Sequence, residues 1–239
     1  AFLKLDFEPG ECAQIDWGEF GTVTVGNTRR RLSFFVMVLC YSRRMYVEFT
    51  VSQEMEFFLA CHENAFAAFG ALPARLMVDN LKSAVLKRLG GAAPVFNPKY
   101  LDFSRHWGFE ITACNVASGW EKGRVENGVG FVKKNFLAGQ EFIDFSAVQP
   151  AAQLWVDTVA DVRVHRATQR RPVDMFEQER AHLKRLNPAG FDLARVRTLS
   201  VNKQFRVALD SNTYSVPARH VGQRLTLKAW ADRVCIYAH

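Results

Sequence analysis

No stretch of the 239 residues holds the run of ~20 apolar side chains that a membrane-spanning helix needs, so no membrane partner is expected. The five cysteines are odd in number, widely spaced and form no Cys-x-x-Cys pair. That pattern argues against a disulfide framework or a zinc ribbon, and for a reducing compartment with buried free thiols. Neither sign of charge dominates: 31 basic against 24 acidic residues leave +7, a lean toward polyanions and nothing more. No repeat or low-complexity tract is visible. The composition that remains, 49% hydrophobic and 23% charged, is that of a globular protein and excludes a disordered chain. The chain opens on Ala1 and stops at His239 straight after a strand-like run, so a piece of a longer protein is expected.

Hydrophobic periodicity orders the elements. Residues 12–17, 21–25, 31–40 and 45–51 read as strands with short connections, an antiparallel meander. A helix starts near Ser52-Gln53-Glu54. It carries Phe57, Phe58, Cys61, Ala65, Ala68 and Phe69 at helical spacing and is closed by Gly70. Residues 75–78 form a short strand, and the helix before it makes a crossover that favours parallel pairing with an earlier strand. A second helix is expected over 97–107, a strand over 110–116, and a helix over 124–137 with Val125, Val129, Val132 and Phe136 on one face. A long helix is expected over 146–166, ended by Arg170-Arg171-Pro172. After Pro188 the texture turns to short β-rich runs. The expected fold class is α/β: an RNase H-like mixed sheet flanked by helices (1–145), a helical connector (146–189) and a small all-β barrel (190–239).

Three acids occupy informative places. Asp16 ends the first strand, Asp79 follows the strand after the crossover helix, and Glu126 lies in the first turns of the next helix. Acids at neighbouring strand ends face the crevice where α/β sheets bind ligands. Carboxylates gathered there repel one another unless a cation sits among them. Each also has a structural reading: a helix cap at Asp79-Asn80, a solvated helix residue at Glu126, a turn acid at Asp16. Glu121 competes with Glu126 for the third place, and Gly128 and Gly130 blur the register of that helix or permit close approach of DNA backbone. The spacing of 63 and 47 residues holds two strands and a helix, then a helix and a strand, which suits an RNase H-like sheet.

The wording around these acids is more specific. Glu8-Pro-Gly-Glu-Cys-Ala-Gln-Ile-Asp-Trp-Gly18, Met77-Val-Asp-Asn-Leu-Lys-Ser-Ala-Val85 and Lys122-Gly-Arg-Val-Glu126 resemble the three acid-bearing segments of DDE transposases of the IstA type. His165-Arg-Ala-Thr, Arg171-Pro-Val-Asp-Met-Phe-Glu177 and Tyr214-Ser-Val-Pro217 continue the resemblance over nearly the whole chain. The resemblance implies a metal triad of Asp16, Asp79 and Glu126 holding two Mg2+ ions, with Mn2+ as a substitute. It implies 3′-end cleavage of transposon-end DNA and strand transfer into target DNA by a homo-oligomer assembled on DNA. An ATPase helper of the IstB type is the implied protein partner, and a bacterial cytoplasm with nucleoid association during transposition is the implied location.

Candidate phosphate contacts are Lys82, Lys87, Arg88, Lys122, Arg124, Lys133 and Lys134, with Arg163, Arg166, Arg170 and Arg171 in the connector. For the helix lysines the competing reading is a solvated outer face. His165 reads as a packing or phosphate-contact residue of the connector. Trp17 and Trp107 read as core, while Trp120, in the loop before Glu126, is placed to stack on an unpaired base. Two rival functions remain open: an RNase H-like nuclease without strand transfer, and a non-catalytic DNA-binding module.

Overall fold

The computed structural model describes residues 6–78, 84–87, 94–113, 125, 127–142 and 144–238. Its centre is a five-stranded sheet in the order β3-β2-β1-β4-β7, built from β1 (Cys12–Val25), β2 (Thr28–Leu39), β3 (Met45–Thr50), β4 (Arg75–Val78) and β7 (Glu110–Ala113). β1, β2 and β3 form the antiparallel meander, with Ile15 opposite Met37 and Val36 opposite Val47. β4 joins β1 in parallel, Ile15 beside Val78, and β7 joins β4 in parallel. The connection from β3 to β4 is the crossover helix α1 (Met55–Phe69), ended by Gly70 at φ 70, a backbone conformation that glycine adopts without strain. β5 (Val85–Lys87) and β6 (Val95–Phe96) pair as a short hairpin ahead of α2 (Pro98–Trp107).

Strand alternation sends side chains to both faces of the sheet, and a separate core covers each. On one face Ile15, Phe35 and Met37 meet Phe58, Phe66, Tyr100 and Phe103 from α1 and α2. Trp17 lies edge-on to Phe35 at 5.5 Å and Trp107 edge-on to Phe66 at 5.7 Å, so both belong to this cluster. On the other face Phe34, Val36 and Val38 meet Val125, Val132 and Phe136, and then Val148, Ala152 and Trp155. The last three come from α4 (Phe145–Trp155), which follows helix α3 (127–131, continued by a π-helical segment Val132–Leu137). α4 also covers the sheet edge: the Gln149 side chain accepts from Phe49 N–H at 2.9 Å and donates to Val47 O at 3.0 Å. Unpaired backbone groups of an edge strand are thereby satisfied.

Two elements differ from expectation. Residues 12–17 and 21–25 belong to one strand, continuous through a bulge between Glu19 and Thr22. Strand geometry survives the glycine of the motif because Gly18 sits under an aromatic ring. A Cβ on Gly18 would come within 2.0 Å of the Phe34 ring. The helix expected over 146–166 ends earlier. α4 passes into a π-helical segment, Val156–Ala160, and stops where Asp161 turns its buried carboxylate to Arg44 at 3.3 Å. Asp161 O then accepts from Val173 N–H at 3.0 Å, next to α5 (Pro172–Glu179).

From residue 195 on, β8 (Arg195–Ser200), β11 (Arg224–Ala229) and β12 (Val234–Tyr237) form one three-stranded sheet. β9 (Arg206–Leu209) and β10 (Asn212–Ser215) form a separate pair, and both enclose a small core around Val201, Val207 and Leu227. None of these strands joins the five-stranded sheet. The small β unit is held to α1 by Arg195, whose guanidinium reaches Asp210 at 2.6 Å, Glu54 at 3.1 Å and Glu56 at 3.3 Å. Glu56 is only 4% exposed. Removing one partner of a buried ion pair costs about 3–5 kcal/mol. Arg195→Met is expected to lower stability by about that much in urea unfolding, with the loss relieved by Glu56→Gln in the double variant.

Candidate functional site

Asp16 does not end the first strand as expected: it lies within β1, one residue past the last pair with β4. Its predecessor Ile15 pairs with Val78, the residue before Asp79 in sequence. The Asp16 carboxylate is half-buried, and its Oδ1 accepts from Trp17 N–H at 2.9 Å. Opposite it on β2 is Val36, and opposite Gln14 is Val38. These four share the face of the sheet that α3 covers. The approach is close: a Cβ on Gly128 would lie 3.0 Å from Val38 Cγ2 and 3.5 Å from Val36 Cγ1. Gly128 therefore lets α3 lie flat on β2. Gly130 has open space around it.

Asp79, Glu126 and its rival Glu121 lie outside the described residues, as do Lys82, Arg88, Trp120, Lys122 and Arg124. Their sequence neighbours are placed. Val125 is buried in the α3 cluster, with its N–H donated to Gln14 Oε1 at 3.1 Å. Among the described residues, no group of three or more His, Cys, Asp or Glu side chains is arranged to hold a metal. Lys87 closes β5, and its side chain is outside the description. Lys133 and Lys134 are exposed on the π-helical segment, as are Arg166, Arg170 and Arg171 after Asp161.

Those arginines are not equally available to a ligand. Arg171 grips Asp174 through two bonds of 2.7 Å, and the pairing holds that carboxyl below its usual range. Arg170 donates to Gln178 at 3.1 Å. Arg163 is a packing residue: its guanidinium stacks over the Phe131 ring at 3.8 Å, within cation–π range. His165 is a turn residue, with Nδ1 accepting from Ala167 N–H at 3.2 Å, and burial lowers its pKa.

A basic feature missed in the sequence lies farther along β1, six to eight residues past Asp16. Past the bulge, β1 and β2 continue as a two-stranded ribbon in which Arg29, Arg30 and Arg31 are exposed, opposite Thr24, Val23 and Thr22. Arg29 donates to Thr22 Oγ1 at 2.8 Å and Arg31 pairs with Glu19 at 3.1 Å. The triplet of arginines in a strand-forming run was the available signal. It went unused because those residues sit outside the motifs. No helix among the described residues is long and apolar enough to cross a membrane.

The integrase core domain family matches residues 7–118, and the family described as Mu transposase, C-terminal domain, matches residues 186–239. The transposase for insertion sequence element IS21 of Pseudomonas aeruginosa is 31% identical over 239 residues, 99% of this chain and 61% of the relative. The chain spans 46–61% of the length of that relative and two other curated transposases. Among solved structures, the simian T-cell lymphotropic virus intasome in complex with PP2A regulatory subunit B56 gamma aligns with TM-score 0.54 at 15% identity, covering 92% of this chain and 72% of its counterpart. The catalytic core domain of BIV integrase aligns with TM-score 0.51 at 12% identity, covering 72% and 97%. At such identities the likeness is one of fold, and it agrees with the mixed sheet flanked by helices described above. Residues 7–118 thus match an integrase core domain and residues 186–239 a Mu transposase C-terminal domain, in a chain similar over nearly its whole length to insertion-sequence transposases.

Proposed function

We propose that this chain is the catalytic part of a DDE transposase of the IstA type that cuts transposon ends and joins the freed 3′-OH to target DNA. The observation that carries this reading is the parallel pairing of Ile15 with Val78. Each directly precedes an aspartate in the sequence, Asp16 and Asp79, and the two strands run side by side up to those residues. Glu126 follows Val125, itself tied to β1 through Gln14. Three carboxylates offer oxygen donors only, the set that hard divalent cations prefer. Asp16, Asp79 and Glu126 would hold two Mg2+ ions, with Mn2+ as a substitute, and such a pair activates the attacking oxygen and stabilises the leaving one.

The chain's own groups have separate tasks. Asp16, half-buried beside the α3 face, supplies charge without closing the site to a phosphodiester. Phosphates are held by Lys133, Lys134, Arg166, Arg170 and the ribbon residues Arg29 and Arg30, together with Lys82, Lys87, Arg88, Lys122, Arg124 and Arg171. Lys and Arg contacts of this kind position DNA and weaken with salt. In this reading 1–145 is the core, 146–189 the connector and 190–239 the barrel. The separate sheets after residue 195 support the last division. A homo-oligomer on transposon-end and target DNA, and an ATPase helper of the IstB type, complete the proposal.

The test is a labelled transposon-end duplex incubated with the protein and Mg2+ or Mn2+, alongside a branched duplex that represents the joined product. Shortened strands plus longer joined strands, or resolution of the branch by the reverse reaction, support the transposase. Shortened strands alone indicate a nuclease. Neither product with either metal, despite DNA binding, indicates a binding module.

A further inference from the structure

Gln14 lies at the junction of all three acid-bearing segments. It precedes Asp16 by two residues on β1 and shares its face of the sheet. It is 0% exposed, an unusual place for a primary amide. Its partner across the parallel pair is Met77, two residues before Asp79, and its Nε2 lies 3.6 Å from Met77 Sδ. Its Oε1 accepts from the N–H of Val125, one residue before Glu126, at 3.1 Å. A single buried side chain thus touches β4 and the start of the α3 segment from β1.

Filling space does not explain this choice. Met or Leu has similar volume and carries no desolvation cost. Near its start a helix has backbone N–H groups without an intrahelical carbonyl. Val125 is 1% exposed, so its N–H has little access to water and needs a fixed acceptor. Only a side chain from β1 with an acceptor at the length of glutamine supplies one here while also tying that point to the strand of Asp16.

We propose that Gln14 is a positioning residue: through the Val125 N–H it sets where the Glu126 segment begins relative to Asp16, and so the separation of the carboxylates. This rests on the three-acid reading above, and the two can fail separately. The first measurement needs no metal. In Gln14→Leu, hydrogen exchange at the Val125 amide and through 127–131 should rise at least tenfold. Exchange at Met37, in the middle of the sheet, should stay within about twofold. Gln14→Glu, which keeps an acceptor oxygen at the same reach, should restore protection at Val125.

The second measurement is Mn2+ affinity by titration, which should weaken several-fold in Gln14→Leu and recover in Gln14→Glu. Unchanged exchange at Val125, or an equal rise at Val125 and Met37, overturns the role of Gln14, because the residue would then be inert or merely part of the core. A wild-type protein with no Mn2+ site sensitive to Asp16→Asn overturns the three-acid reading instead, and the exchange result still decides the case of Gln14.

Discussion

Asp16→Asn is expected to lower both end cleavage and strand transfer by about a thousandfold or more while end-DNA affinity changes less than about threefold. The exchange swaps a carboxylate oxygen for an amide nitrogen at nearly constant volume. The remaining oxygen can still accept from Trp17 N–H, the contact that Oδ1 makes now, so β1 keeps its shape and the melting temperature should move by only a few degrees. What disappears is negative charge at the level where β1 and β4 part. Two-cation catalysis supplies several kcal/mol of transition-state stabilisation, and each ~1.4 kcal/mol is tenfold in rate. The phosphate contacts proposed for the ribbon and α3 are untouched. Gel shift and strand transfer on one preparation check this. Parallel loss of binding and chemistry would make Asp16 a structural residue.

Acid should act on the fold through two buried groups of opposite sense. His62 is fully buried. Its Nδ1–H donates to Phe58 O at 2.6 Å and its Nε2 accepts from the Tyr100 hydroxyl at 3.2 Å, so the neutral ring is satisfied, and burial pushes the pKa from 6.5 down to about 3. The unfolded chain takes up this proton first. Stability from His62 is therefore present above pH ~6.5 and lost as pH falls toward 3, by about 3 kcal/mol at pH 4.

Asp161 works the other way. Burial outweighs the Arg44 ion pair and raises its carboxyl from 3.8 to about 6. The folded state then holds the extra proton, and stability rises as pH falls from 6 to 4 by a similar amount. In the wild type the two nearly cancel over this window. Asp161→Asn should expose the His62 loss as a steep decline below pH 6.5, and His62→Gln should leave a stability that increases on acidification. Urea unfolding at pH 4, 5, 6 and 7 reads both, since differences between variant and wild-type curves remove the other groups. Parallel curves for the three proteins would refute the assignment.

Much of this fold can be read from residue order because local signals agree with it. Helix α1 announces itself through aromatic and small residues at helical spacing and a glycine at its end, and residues 76–78 are apolar between Arg75 and an acid. Where tertiary contacts override local ones, the reading fails. Residues 12–17 and 21–25 read as separate strands, yet the Phe34 ring fills the space over Gly18 and a bulge absorbs the extra residue. The helix after Ser146 had no local stop at residue 160. Its end is fixed by Arg44, more than a hundred positions away.

The acids stood out because each sits in a run of residues that resembles a transposase motif. Gln14 did not, because an uncharged amide inside a strand announces nothing until its partners from β4 and the α3 segment are known. The sign available in the sequence was its parity: it alternates with Asp16 and so had to point the same way, into a face that the neighbouring apolar residues mark as covered. The arginines of the ribbon were equally visible as letters. Their meaning depends on β1 and β2 continuing together past the sheet, which only the register shows.

Glu179, buried at 0% exposure, accepts from Gly10 N–H at 3.2 Å and Ser42 N–H at 3.1 Å. A residue of α5 thus closes both the approach to β1 and the turn between β2 and β3. Phe176, one turn earlier, is embedded beside Phe69. The segment matched as an integrase core, residues 7–118, thus draws part of its core and two of its backbone hydrogen-bond acceptors from residues after it. Severed before α4, it would leave the valines of β2 facing water and two backbone amides without acceptors. On a ribosome the sheet locks only after α5 has emerged, which makes the late helices the step that commits the nascent chain to its native topology.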